Sequence, residues 1–356
     1  LASGDAAARA DLRIVLTAMH GVGATMTARV LAEAGFAHVS LVAAQAEPDP
    51  DFPTVPFPNP EEAGALDMAI EQAQAEDADL IIAVDPDADR CALAVPDPRA
   101  ETGWAPLSGD QIGCLLGEFL ASRGLEGSLA NSIVSSRLLA RIAHAHGLEH
   151  HTTLTGFKWI ARAPQLAFGY EEAIGFCPNP SVARDKDGIA TSVVAASLFA
   201  ALKAEGRTAW DELDRLAHAH GLHVTGPLTF RVEEIEQIAT GMARLRAQPP
   251  IVLAGSPVVE VSDLAEGYRG LPPTDGVLVL TEAGDRVIAR PSGTEPKLLP
   301  RGHPARPRGR AGPVGCSLRA PRAHQARVWS DYRPVNADGG LRSAIDKGHI
   351  PAQENR

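Results

Sequence analysis

Asp85-Pro86-Asp87-Ala88-Asp89-Arg90 concentrates more chemistry than any other stretch of this 356-residue chain. In extended backbone alternate side chains share a face, so carboxylates at i, i+2 and i+4 converge. Left bare, they repel one another. A hard divalent cation relieves that repulsion, and a set of oxygen ligands suits Mg²⁺. Arg90 follows directly, placed to meet a phosphate. An EF-hand needs Gly at loop position 6 and Glu at position 12; counted from Asp85 these are Arg90 and Pro96, so that reading fails. A phosphatase with Asp85 as aspartyl nucleophile stays open.

Three more stretches offer polar groups in useful patterns. Thr155-Gly156-Phe157-Lys158 is a glycine turn whose lysine opens an apolar segment. Gly169-Tyr170-Glu171-Glu172-Ala173-Ile174-Gly175 sets two adjacent carboxylates between glycines, suited to vicinal hydroxyls. Arg290-Pro291-Ser292-Gly293-Thr294-Glu295-Pro296-Lys297 brings a guanidinium, two hydroxyls, free backbone and an ammonium together, the donors that a phosphate dianion needs. Arg184-Asp185-Lys186-Asp187-Gly188 adds cations before an alanine-rich helix.

These loops require elements to hold them. The apolar run 80–84 predicts a buried strand ending at the acidic loop. Ahead of it the pattern predicts a strand at 12–17, a helix around 24–35, a strand at 38–43 and a helix at 61–76 opened by Glu61 and Glu62. Residues 1–100 thus read as one α/β domain with its ligand loop at a strand's carboxyl end. Residues 101–221 repeat the pattern: helices near 110–122, 137–147 and 189–204, strands near 130–135 and 166–170. Residues 222–299 change style, with strands near 222–231, 258–262, 276–280 and 286–290 and a helix near 233–246, a smaller α+β domain. Residues 300–356 are rich in Arg, Pro and Gly and predict disorder.

Other signals carry less. Gly21-Val22-Gly23 lacks the third glycine of a dinucleotide fingerprint, since Met26 stands there. The prolines of 46–60 predict a stiff connecting loop. His144, His146, His150 and His151 match no standard metal spacing. Cys91, Cys114, Cys177 and Cys316 form no framework, which fits a reducing cytoplasm. The formal net charge is −11, although 301–356 hold eleven Lys and Arg against four Asp and Glu. An acidic body argues against nucleic acid as a partner, and no apolar run reaches membrane-span length.

The four loops, in this order, resemble the α-D-phosphohexomutase family of phosphoglucomutases and phosphomannomutases, closest to its phosphoglucomutase-2-like and actinobacterial phosphomannomutase branch. The similarity covers residues 1 to about 299. It implies two successive α/β domains of phosphohexomutase type followed by an incomplete α+β C-terminal domain. It also implies transfer of phosphate between C1 and C6 of a hexose through a bisphosphate. By resemblance, Asp85, Asp87 and Asp89 hold Mg²⁺, and Arg90 and Lys158 assist catalysis. Gly156, Lys158, Glu171, Glu172, Lys186, Arg290, Ser292, Gly293, Thr294 and Lys297 bind the hexose phosphate, with glucose 1,6-bisphosphate or its mannose equivalent as activator. The family's catalytic serine lies in a Thr-Ala-Ser-His-Asn-Pro type motif, which this sequence does not contain. The chain, which begins at Leu1, is therefore expected to be a piece with little turnover of its own. A non-catalytic phosphosugar-binding remnant is the alternative. The basic tail is expected to reflect a shifted reading frame.

Overall fold

The computed structural model describes residues 6–227, 230–231, 235–291, 297–303 and 305–306, with backbone alone for 230–231, 235 and everything after 291. The first sheet contains β1 (Arg13–Thr17), β2 (His38–Leu41), β3 (Leu80–Val84), β4 (Cys91–Pro96) and β5 (Trp104–Pro106), in the order β2-β1-β3-β4-β5. The first three are parallel, and β4 and β5 run antiparallel. Every residue of β3 is buried, as befits a central strand covered on both faces. Truncating one of its isoleucines to Ala costs about 2–5 kcal/mol.

Helices α1 (Ala6–Asp11), α2 (Ala24–Glu33) and α3 (Asp67–Glu76) accompany this sheet. The helix expected from residue 61 begins at Asp67, because the chain leaving the proline segment turns first: Glu62 N–H donates to Asn59 O and Ala65 N–H to Glu62 O. Glu61 and Glu62 therefore open no helix. Strands β4 and β5, absent from the expectation, carry the sheet to Pro106.

The second sheet has the order β7-β6-β8-β9, from β6 (Ser128–Ser132), β7 (Glu149–Thr153), β8 (Leu166–Glu171) and β9 (Gly175–Cys177). Only β9 is antiparallel. Around it lie α4 (Gly109–Ala121), α5 (Leu138–Ala145), α6 (Phe157–Ile160), α7 (Gly188–Ala204) and α8 (Ala209–His220). A capping box starts α4: Ser108 Oγ accepts from Gln111 N–H, and Gln111 Oε1 accepts from Ser108 N–H, which satisfies two otherwise orphaned donors.

Helix α7 is apolar nearly all round, the pattern of a helix buried on every side. It packs on α1, α2, β3 and β4 of the first sheet as well as on α4 and β9. One hydrophobic core consequently runs from Leu12 to Leu216 through both sheets. The sheets also touch directly. Arg90 bridges to Gly175, and Cys91 N–H donates to Ile174 O at 3.1 Å. No single described helix is long and apolar enough to cross a membrane.

The third unit begins with short strands where one was expected: β10 (Leu222–His223), β11 (Gly226–Pro227) and β12 (Phe230–Arg231). After α9 (Ile235–Ala247) come β13 (Val252–Leu253), β14 (Ser256–Asp263), β15 (Val277–Thr281), β16 (Arg286–Pro291), β17 (Lys297–His303) and β18 (Ala305–Arg306). The third sheet is antiparallel, with the main path β11-β17-β16-β15-β14-β13, while β10 and β18 pair as a separate two-stranded sheet. Strand alternation divides its two faces. Val277, Val279, Val287 and Ala289 pack with α9, while Leu278 and Ile288 pack on Ile133 and Val134 of the second unit. Strand β17 continues past residue 299. Residues 307–356, most of the basic tail, lie outside the described residues.

Candidate active site

The acidic loop leaves β3 at its carboxyl end and turns back at once, Ala88 N–H donating to Asp85 O, with Ala88 at φ 58°. The turn gathers the three carboxylates. One oxygen from each of Asp85, Asp87 and Asp89 lies within 4.8 Å of the others. An octahedral ion with bonds near 2.1 Å sets its ligand oxygens about 3–4 Å apart, a spacing that small side-chain rotations reach. The donor set is all oxygen, so this triad can hold a metal ion. Among the described residues it is the one such group, and the histidines of 144–151 form none. His146 pairs with Glu118 at 3.0 Å, and His150 meets Asn131 Oδ1 at 3.0 Å.

Two cations steady the triad. Arg90 donates its backbone N–H to Asp85 Oδ1 (2.9 Å) and its Nε–H to Asp85 Oδ2 (2.6 Å). Lys186 Nζ lies 2.8 Å from Asp89 Oδ2 and 4.0 Å from Glu171 Oε1. Burial raises the Asp85 pKa, and Arg90 opposes that rise. With 1% of its surface exposed and both oxygens held by Arg90, Asp85 is poorly disposed to attack phosphorus. This weighs against an aspartyl nucleophile.

Close backbone approach explains two glycine signals. A Cβ on Gly21 would stand 2.3 Å from Pro86 Cα, and one on Gly188 would stand 2.5 Å from Arg90 O. Val22 N–H donates to Pro86 O, and Gly188 N–H to Ala88 O. The Gly21-Val22-Gly23 turn is thus a seat for the acidic loop. On the other side, Asp187 caps α7 by accepting from Ala190 N–H at 2.8 Å, which fixes the stretch that carries Lys186.

The two glutamates at the end of β8 diverge. Glu171 faces Lys186 and the aspartate triad. Burial, with Glu172 adding repulsion and Lys186 opposing it, pushes the Glu171 pKa up to about 7. Glu172 is buried and accepts from Ser132 Oγ and Ser135 Oγ, each at 2.8 Å. These serines were missed in the sequence. They lie at the carboxyl end of β6 and just beyond it, where a polar run after an apolar strand was the available signal. Ser135 is held in turn by Arg286, whose Nη2 donates to Ser135 O at 2.7 Å.

Gly156 and Lys158 follow β7, Gly156 at φ 99° and Lys158 exposed at the start of α6. Arg290 Nη1 reaches Thr155 Oγ1 at 3.5 Å. Arg286, Ile288 and Arg290 alternate along β16, so one face of the strand carries both arginines toward the second unit. Ser292, Gly293 and Thr294 lie outside the described residues, and Lys297 is described only as backbone in β17. The thiols of Cys91 and Cys177 are buried, their pKa values pushed up to about 12 by burial. That makes them inert core groups.

Comparison with known proteins agrees with this layout. The family model for phosphoglucomutase/phosphomannomutase alpha/beta/alpha domain II matches residues 2–99, and that for domain III matches residues 108–219. A Haemophilus influenzae protein named "Probable phosphomannomutase" is 45% identical over 290 residues, 81% of this chain and 59% of the relative. A Staphylococcus haemolyticus phosphoglucomutase is 36% identical over 314 residues, 82% of this chain and 57% of the relative. The chain thus spans little more than half the length of these relatives. Among solved structures, parafusin (phosphoglucomutase) from Paramecium aligns with a TM-score of 0.64 at 17% identity, covering 88% of this chain and 56% of that one. A phosphoglucomutase/phosphomannomutase family protein from Burkholderia thailandensis aligns with a TM-score of 0.61 at 20% identity, covering 83% and 56%. These structural likenesses establish the fold.

Proposed function

Because the chain belongs to the phosphoglucomutase/phosphomannomutase family, we propose that it carries the metal-, sugar- and phosphate-binding parts of a phosphohexomutase. Such an isomerase moves a phosphoryl group reversibly between the C1 and C6 oxygens of a hexose. The observation that carries this reading is the junction of the two α/β units. There the Asp85, Asp87 and Asp89 cluster, Arg90, Lys186 and Glu171 meet across the Arg90–Gly175 bridge.

Asp85, Asp87 and Asp89 would hold Mg²⁺, which when bound supplies charge neutralisation for phosphoryl transfer. The remaining work falls to positioning by the chain's own residues. Arg90 adds a fixed positive charge beside the triad, and Lys158 a mobile one from α6. Glu171 accepts hydrogen bonds from sugar hydroxyls, and Glu172, tied to its serines, holds the loop in place. Arg290, Ser292, Gly293, Thr294 and Lys297 grip the phosphate that is not reacting. Glucose 1,6-bisphosphate or its mannose counterpart, carrying a phosphate at each end, serves as activator. The work divides over residues 1–100 for the metal loop, 101–221 for the sugar loop and 222–299 for the phosphate loop. The setting is the cytoplasm.

The phosphoryl-carrying serine is not part of this assignment. The test is a coupled assay with Mg²⁺ and glucose 1,6-bisphosphate, run on glucose 1-phosphate and mannose 1-phosphate. It compares the 356-residue chain with a longer form that supplies a phosphoserine segment. Conversion by the longer form alone is expected. Equal turnover by both would refute this division of labour, and inactivity of both would count against mutase function.

A further inference from the structure

The proline-rich segment 46–60 and the Gly21-Val22-Gly23 turn meet beside the acidic loop. Between β1 and α2, Met19 and His20 stand at φ 47° and 63°. Successive non-glycine residues in the left-handed region are rare, and they persist only where the surroundings hold them. Here the hold is extensive. Gly21 N–H donates to Ala18 O at 2.7 Å, His20 N–H to Gln45 O at 3.0 Å, and Asp49 N–H to His20 O at 3.0 Å. Met19 packs with Val55 and Ala65.

The side chains around this turn form a run of hydrogen bonds. Thr17 Oγ1 accepts from Met19 N–H (3.0 Å) and donates to Gln45 Oε1 (2.6 Å). Gln45 Nε2–H donates to Thr54 Oγ1 (2.9 Å), which shares a further hydrogen bond with His20 Nε2 (2.8 Å). Thr17, His20 and Gln45 are buried, and Thr54 is the exposed end of the run. Buried amide and hydroxyl groups are costly without such partners. The turn that they fix delivers Val22 N–H to Pro86 O at 2.9 Å, between Asp85 and Asp87. Beside it Ala18, Ala24, Val84 and Ala88 pack together. The acidic loop is thus held at Pro86 and at Ala88 by a turn whose shape is set from β1 and from the proline segment.

We infer that Gln45 and Thr54 are positioning residues for the metal loop, an inference that rests on the reading of Asp85, Asp87 and Asp89 as the Mg²⁺ ligands. Their hydrogen bonds run to Thr17 and His20 rather than to the carboxylates. They act through the backbone, by keeping Val22 against Pro86. The proline segment serves to bring Thr54 back to the turn.

The test is calorimetric titration of magnesium chloride into the 356-residue chain and four variants. Thr54→Val keeps the shape of an exposed side chain and removes its hydroxyl, and Thr54→Ser keeps the hydroxyl. Gln45→Leu keeps bulk and removes the amide. Ser40→Ala cuts a hydrogen bond to Glu76 elsewhere in the same unit and reports general loosening. Mg²⁺ binding is expected to weaken at least about threefold in Thr54→Val and about tenfold in Gln45→Leu, and to change less than about 1.5-fold in Thr54→Ser and Ser40→Ala. Binding at full strength in both Thr54→Val and Gln45→Leu would overturn the inference and leave the metal reading standing. So would a loss in Ser40→Ala as large as that in Gln45→Leu, or one in Thr54→Ser as large as that in Thr54→Val. No binding by the unaltered chain would overturn the metal reading and this inference with it.

Discussion

Two places in this molecule concentrate charge, and they are built in opposite ways. The acidic junction takes its three aspartates from six consecutive residues, and its compensating cations, Arg90 and Lys186, are already within contact. The basic cavity between the second and third sheets takes its arginines and histidines from α5 and its N-cap, β7, β10, the β14–β15 loop and β16, and its acidic neighbours come from elsewhere in the chain, Asp285 acting on Arg137 and Asp110 on Arg286. A contiguous loop can be shaped by backbone turns and close packing. An assembled cavity depends on how whole sheets dock. The first should therefore be sensitive to backbone crowding, the second to docking and to charge.

The largest effect is expected at the backbone seat of the acidic loop. Gly21→Ala drives a methyl group into Pro86, and overpacking of this kind costs about 3 kcal/mol. Urea denaturation should show that loss, while a drop under about 1 kcal/mol would mean that the loop moves aside easily. Next comes metal affinity. Asp85→Asn removes a ligand and leaves Arg90 short of its partner, so Mg²⁺ binding by calorimetry should weaken about 100-fold, or about 2.7 kcal/mol. Unchanged affinity would remove Asp85 from the metal set.

A smaller effect is expected where the two regions connect. Ser135→Ala takes one of two hydroxyl donors from the buried Glu172 carboxylate, a loss of about 1–3 kcal/mol. Thermal melting checks it, and the double variant with Ser132→Ala should lose more. The remaining effects are in pH dependence, and they have opposite signs. Glu171 has a folded pKa of about 7, above its ordinary 4.5. The folded state binds the extra proton, so its contribution to stability is full below 4.5 and is lost as pH rises through 7. His150 is lowered from 6.5 to about 4 by burial, with His151 adding repulsion. Its contribution is present above 6.5 and is lost as pH falls through 4. Measured without divalent metal, Glu171→Gln should remove the alkaline loss and His150→Gln the acid one. If either variant leaves its limb of the stability profile unchanged, the corresponding burial argument is wrong.

The same contrast explains what could be read in advance. Asp85, Asp87 and Asp89 announced themselves because their spacing and the apolar run before them are local. Arg290 did so because it stands in a cluster of hydrogen-bond donors in the sequence. The serines behind Glu172 did not, since forty residues separate Ser132 from the carboxylate it holds. Arg286 gave no signal either, its role arising only when β16 docks on the β6–α5 connection. Gly21 and Gly23 were visible as a pattern, but their reason is the approach of another loop. Strands β4 and β5 were missed because a search for alternating helices and strands does not look for an antiparallel return. The first sheet was legible because β1 and β3 read as nearly unbroken apolar runs.

Helix α7 has a consequence for the order in which the protein is made. The first sheet is complete in sequence at Pro106, yet the helix that covers part of its face ends at Ala204. A ribosome adding about 5–20 residues per second takes roughly 5–20 seconds to deliver the intervening chain of about 100 residues. Through that interval the α7-facing side of the nascent first sheet stands open. The first half of this chain finishes folding only when the second half has emerged.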